Sequence, residues 1–230
     1  MGNRTTEICT PSPFDYHKNA LLYLSKNVPF PNVENPASYI NAVTNEVERL
    51  INASKGRAAI LFTSYNVMGR VHAELEKKQL PFPMFKLERS TSNAIEHFKA
   101  SKNGVLFASG ALWEGIDIPG DSLSMLIIVK LPFQVPDPIS EYEKSQYADF
   151  REYREDVLIP EMLVKLKQGF GLLVRTETDT GVVAILDCRA NECGAYFQPV
   201  IAALPDCRVT NDLDEVDPFL KAVKSDEYWD

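Results

Sequence analysis

The sequence predicts an α/β fold, a mainly parallel sheet with helices on both faces. Three observations carry this expectation. Four short runs are almost continuously apolar and rich in β-formers: Ala58 to Ser64 (AAILFTS), Val105 to Ser109 (VLFAS), Ser124 to Leu131 (SMLIIVKL) and Gly181 to Asp187 (GVVAILD). Unbroken apolar runs mark strands buried on both faces, the habit of parallel sheets. Helix-like segments separate the runs, and that alternation marks a sheet covered on both sides. Finally, 230 residues with 45% hydrophobic and 24% charged content supply a core of ordinary size.

Residues 1–11 read as a linker or loosely attached edge, and 12–230 as one domain. Tyr39 to Ser54 carries a helical stripe of Ile40, Val43, Val47, Leu50 and Ile51. The AAILFTS strand ends on two hydroxyls, Thr63 and Ser64, just before a helix over Val67 to Gln79. Ser64 suits an N-cap, and small hydroxyls with open amides at a helix start also suit a phosphate. A further helix is expected over Asn93 to Ala100.

VLFAS leads into Gly110 to Gly120 (GALWEGIDIPG), with three glycines in eleven residues. Open α/β sheets bind ligands beyond the C-terminal ends of their strands, where this loop begins. Glycines let a ligand approach the backbone closely. Glu114 and Asp117 offer acceptors for an arginine or a ribose hydroxyl, and Trp113 packs beneath the loop or stacks on a base. The plainer alternative is a Gly/Pro turn with solvated acids. Leu131 to Pro138 (LPFQVPDP) holds three prolines and reads as an extended loop. Pro138 to Val174 reads as several helical pieces broken at Pro160, and the acidic stretch 211–230 as a short closing helix.

The segment Gln168 to Gly181 (QGFGLLVRTETDTG) holds one cation, Arg175. A helix starting near Pro160 would carry Gln168, Leu172 and Arg175 on one face. A guanidinium is permanently charged and presents a rigid fork of donors, which suits it to a transferring phosphoryl group. Otherwise Arg175 caps the helix C-terminus.

A net charge of −8 argues against a protein that coats nucleic acid, although a basic groove on an acidic body is compatible with it. It also predicts weak, salt-sensitive DNA binding by this domain, in the micromolar range or worse. Cys9, Cys188, Cys193 and Cys207 form no C-x-x-C pair and read as reduced structural thiols, with no metal site expected. No apolar run approaches the length of a membrane span and no signal core precedes the domain, so a cytoplasmic location and no membrane partner are expected.

These stretches together resemble the second RecA-like motor domain of a DinG-type helicase, in the XPD-like group of helicase superfamily 2. SPFDY (Ser12 to Tyr16) is similar to the start of that domain, LFTSY (Leu61 to Tyr65) to motif IV, and SGALWEGIDIPG (Ser109 to Gly120) to motif V. Gln168 to Arg175, continuing through Asp179, Gly181 and Asp187 to Arg189, is similar to motif VI. The resemblance implies a three-layer RecA-like fold and an ATP-driven, 5′-to-3′ DNA helicase built from two such domains. By resemblance, Gln168 and Arg175 face the ATP phosphates, with Arg175 as the arginine finger. Glu114, Gly115 and Asp117 fall in the motif linking nucleotide to DNA, and Thr63, Ser64, Ser109 and Gly110 where motifs IV and V touch the DNA backbone. The implied partners are single-stranded DNA and the N-terminal RecA-like domain of the same protein. That absent domain would hold most of the ATP and Mg2+, and any iron–sulphur cluster.

Two departures stand out. The family motif reads Q-G-x-G-R-x-x-R, and here Leu172 occupies the first arginine position. Either hydrolysis is attenuated or another cation substitutes. The sequence also contains neither a G-x-x-x-x-G-K-[ST] loop nor a D-E-A-H-like box. The chain is therefore expected to be inactive as an ATPase alone, acting as one half of a motor. The alternative is a non-catalytic RecA-like module that binds nucleic acid or a partner through a degenerate ATP site.

Overall fold

The computed structural model describes residues 14–31, 36–87, 93–109, 118 and 120–229. Its strands are β1 (Ala20–Leu24), β2 (Ala58–Phe62), β3 (Met84–Leu87), β4 (Val105–Ser109), β5 (Met125–Ile128), β6 (Gly181–Ile185) and β7 (Arg208–Thr210). The helices are α1 (Tyr16–Asn19), α2 (Pro36–Ala53), α3 (Tyr65–Lys77), α4 (Ala94–Ala100), α5 (Pro138–Lys144), α6 (Phe150–Tyr153), α7 (Ile159–Phe170), α8 (Phe197–Ala203) and α9 (Val216–Val223). The seven strands form one sheet in the order β3-β4-β2-β5-β6-β1-β7. Every pairing in it is parallel.

Alternate residues of each central strand point to opposite faces. Leu22 and Leu24 of β1, Leu61 of β2 and Leu126 of β5 join a core with Phe98 of α4, Met162 and Leu166 of α7 and Val200 of α8. Leu21 and Tyr23 of β1, Ile60 of β2 and Ile127 of β5 join a second core with Val43 and Val47 of α2, Val71 and Leu75 of α3 and Phe219 of α9. Three layers result, which is the RecA-like arrangement expected from the sequence.

The four apolar runs become the four central strands. Two of the remaining strands, β3 and β7, lie at the sheet edges, and both show exposed or half-exposed residues. The third, β1, is fully buried between β6 and β7.

Pro160 does not break the helical region as expected. The backbone passes from α6 through a π-helical turn, Arg154–Leu158, directly into α7. A proline ring collides with the carbonyl four residues back and removes a donor. Here the Ile159 N–H donates to Arg154 O, five residues back, so the turn widens and the chain continues.

Candidate functional site

The sequence-predicted residues fall at opposite edges of the sheet. At the C-terminal edge, Thr63 and Ser64 follow β2 and line a cleft of about 290 Å³ with Arg70, Lys130, Tyr39 and Pro31. Ser64 is the N-cap of α3, its Oγ accepting from the Val67 N–H at 3.4 Å. Asn66 and Val67, in the first turn of the 13-residue helix α3, also line the cleft, and a helix N-terminus attracts anions. Arg70 and Lys130 add two cations that the motif reading missed. Lys130 had a signal: it is the only charged residue in the apolar run Ser124 to Leu131. Ser109 lies beside this edge, in register with Phe62, but its side chain is buried and its carbonyl accepts from the Tyr65 hydroxyl at 3.4 Å.

The Gln168–Arg175 segment lies at the other edge, because α7 returns antiparallel to the strands before β6 begins. The structure corrects the single helical face. The helix α7 ends at Phe170 with Gly171 as its C-cap, so Gln168 sits exposed in the last turn and Arg175 lies five residues beyond the helix. Leu172, Leu173 and Val174 are all buried, at 7%, 3% and 4% exposure. In a helix, three consecutive side chains point 100° apart and one would face water. Leaving the helix buries all three, each contributing ~1.5–3 kcal/mol.

A tight turn then fixes Arg175. Its backbone N–H and that of Thr176 both donate to Asp179 Oδ2, at 2.9 and 2.8 Å. Asn19 Nδ2 donates to Glu177 O at 2.8 Å, tying the turn to α1. Lys224, buried in the closing segment, donates from Nζ to Thr180 O at 2.7 Å and to Asp121 Oδ1 at 2.6 Å. Asp121 follows the Gly110–Gly120 loop. The described residues flanking that loop, Ser109 and Asp121, therefore stand at opposite sheet edges, one by the cleft and one by the Arg175 turn. Gly110, Trp113, Glu114, Gly115 and Asp117 lie outside the described residues, as does Cys9.

Leu172 is thus a core residue. A Leu172→Arg exchange is expected to lower unfolding free energy by about 3 kcal/mol or more, since it forces a charge into an apolar cluster. Leu172→Met should cost below ~1.5 kcal/mol. Urea denaturation of both variants checks this, and an unchanged midpoint for the arginine variant would refute it. The exchange tests packing first, so an altered ATPase rate in it would not by itself report a missing cation.

Burial raises the Cys188 thiol pKa and pushes that of Cys207 up to about 11, so both stay protonated near neutrality, as structural thiols should. Among the described residues, no cluster of His, Cys, Asp and Glu is arranged to hold a metal ion. Among those residues, too, no helix is long and apolar enough to cross a membrane.

A family model described as the helicase C-terminal domain matches residues 47–206. The chain is 35% identical over 214 residues to the ATP-dependent DNA helicase YoaA of Haemophilus influenzae, covering 91% of this chain and 32% of that protein. It is 32% identical over 213 residues to the ATP-dependent helicase DinG of Mycobacterium tuberculosis, again covering 91% of this chain and 32% of that protein. The chain therefore spans about a third of the length of these relatives. Among solved structures, an XPD helicase superposes with a TM-score of 0.61 at 20% identity, covering 84% of this chain and 36% of that one, which bears on the fold alone. The chain belongs to the helicase C-terminal domain family.

Proposed function

We propose that this chain is the second motor domain of an ATP-dependent DNA helicase, supplying an arginine finger and part of a single-stranded DNA track. The observation that carries the reading is the turn holding Arg175. A single carboxylate, Asp179, accepts two successive backbone N–H groups, and α1 and Lys224 brace the same turn. A finger works by charge placed in advance at the transferring phosphoryl group, so its backbone must not wander. Gln168, exposed one turn before the loop, is the second phosphate-facing donor in this reading. Glu114, Gly115 and Asp117 complete the nucleotide-facing set in the segment between Ser109 and Asp121.

At the other edge, Thr63, Ser64, Arg70 and Lys130 hold the DNA backbone, with Ser109 beside them; Gly110 belongs to the same set by the motif resemblance alone. Hydroxyls, a helix N-terminus and two cations around one cleft suit a phosphodiester and carry no base preference. The motif V segment, joining the two edges, is where a change at the nucleotide would reach the strand. ATP and Mg2+ are held mainly by the N-terminal RecA-like domain, and an iron–sulphur cluster, where one exists, also belongs outside this chain. The setting is cytoplasmic.

This chain alone should show no DNA-stimulated ATP hydrolysis, because it carries no phosphate-cradling glycine loop of its own. Adding the separately purified N-terminal motor domain should restore turnover. Turnover by the chain alone would defeat the proposal. A second reading, a binding module without ATP turnover, is favoured by Leu172 standing where the motif has an arginine. Full-length protein that binds single-stranded DNA but never hydrolyses ATP would select it.

A further inference from the structure

Beside the Thr63–Ser64 cleft, at the same sheet edge, lies a cluster built on Asp187 and Arg189, which the motif VI resemblance includes without giving it a role. Asp187 follows the end of β6 and is 6% exposed. Its carboxylate accepts from Arg189 Nε at 2.9 Å and from Arg189 Nη2 at 2.6 Å. It also accepts from the backbone N–H groups of Leu131 and Arg189, both at 3.0 Å. The guanidinium plane is thereby fixed. Three rings surround it, with centroids 5.0 Å (Phe133), 5.4 Å (Phe30) and 5.6 Å (Tyr196) from its central carbon. Phe133 and Tyr196 also touch each other, at 5.0 Å between centroids.

The cluster adjoins the cleft along two stretches of backbone and through Tyr39. Pro31, next to Phe30, lines the cleft, and so does Lys130, next to Leu131. Tyr39 lines it too, within electrostatic reach of Asp187 and Arg189. Phe30 is 54% exposed. An isolated exposed aromatic means little. This one is backed by a cation that is itself clamped, so its ring is held in place, and it stands next to an anion-attracting cleft.

We propose that Phe30, backed by Arg189 and flanked by Phe133 and Tyr196, is a stacking platform for the unstacked bases of a single strand whose phosphates occupy the neighbouring cleft. This rests on the nucleic-acid reading given above. An apolar peptide would also accept the rings, but Arg70, Lys130 and the start of α3 favour a polyanion. Arg189 is already neutralised by Asp187, so it serves as a fixed planar support rather than a phosphate anchor. Base–aromatic stacking contributes ~1–3 kcal/mol per base and tolerates any base, because every base has a π-face.

The test is anisotropy titration of the chain, at low salt, with two labelled strands of equal length: an oligothymidylate and an abasic backbone. The oligothymidylate should bind about 10-fold or more tightly than the abasic strand. Phe30→Ala and Phe30→Leu should each weaken oligothymidylate binding about 10-fold and leave abasic binding within about 2-fold, while Phe30→Trp restores the wild-type value. The salt dependence should stay unchanged in all three, since no phosphate contact is removed. The leucine variant keeps apolar bulk, so it separates loss of a π-face from loss of folding. Equal affinity for the two strands, or variants that weaken both alike, would overturn the platform and leave the backbone cleft standing. Failure of both strands to bind would overturn the nucleic-acid reading and the platform with it.

Discussion

Replacing Arg175 with alanine in the full-length protein is expected to lower the kcat for DNA-stimulated ATP hydrolysis by ~10³-fold or more, the usual worth of an arginine finger. The KM for ATP should change little, because the finger acts on charge that develops in the transition state. Arg175→Lys should recover only part of the loss: the charge remains but the planar fork of donors does not. The backbone offers an internal comparison. Asp179 accepts from the N–H groups of Arg175 and Thr176, so Asp179→Ala leaves the guanidinium present and frees the turn that aims it. Its kcat should fall as well, by less than in Arg175→Ala, with DNA affinity unchanged. Steady-state kinetics at saturating single-stranded DNA decide the matter. A kcat within about 3-fold of wild type for Arg175→Ala would remove the finger from the mechanism, since the effect expected of one is hundreds of times larger.

How much of this could be read from the chain differs by region. The four central strands were legible because burial on both faces forces unbroken apolar runs such as Ile60 to Phe62 and Met125 to Val129. Edge strands are shorter and bury less: Arg208–Thr210 carries one apolar residue, and Met84–Leu87, apolar at three of four positions, is too short a run to separate strand from helix. Ala20–Leu24 is apolar throughout, but its five residues follow directly on a helical turn, and so short a run does not separate helix from strand. The end of α7 was misread because glycines at 169 and 171 weaken a helix without saying where it stops. The burial of Leu172, Leu173 and Val174 decides that. At the cleft, Thr63 and Ser64 were legible as hydroxyls between a strand and a helix. Lys130 joins them only because β5 pairs with β2, a neighbour relation that no local pattern contains. The Asp187–Arg189 pair was visible as a sequence fragment, but its aromatic surround gathers from residues 30, 133 and 196, and only the fold brings those together.

Asp187→Ala should be among the most destabilising single changes in the domain, at about 3–5 kcal/mol, the cost of removing one partner of a buried pair. The Asp187 side chain is 3% exposed and that of Arg189 24%, so solvent screens the pair little. Alanine would strand the guanidinium and leave the Leu131 N–H without its acceptor at the start of the proline-rich loop. Asp187→Asn should cost less, because its carbonyl oxygen still accepts one of those bonds. The pH dependence separates charge from shape. Burial raises the Asp187 carboxyl, but hydrogen bonds and charge from Arg189, with the two backbone N–H groups, outweigh it and hold the group below the usual carboxylate range. A carboxyl depressed in the folded state contributes stability above its unfolded value, near ~3.9, and loses it as pH falls through the folded value. The gap in urea midpoint between wild type and Asp187→Asn should therefore be constant from about pH 7 to about pH 5 and narrow below about pH 4. A gap that persists undiminished in acid would mean that Asp187 acts through packing alone. If its charge is what fixes the guanidinium beneath Phe30, the asparagine variant must also weaken oligothymidylate binding while leaving the abasic strand untouched. Stability and base recognition would then trace to the same two hydrogen bonds from the Arg189 guanidinium to Asp187.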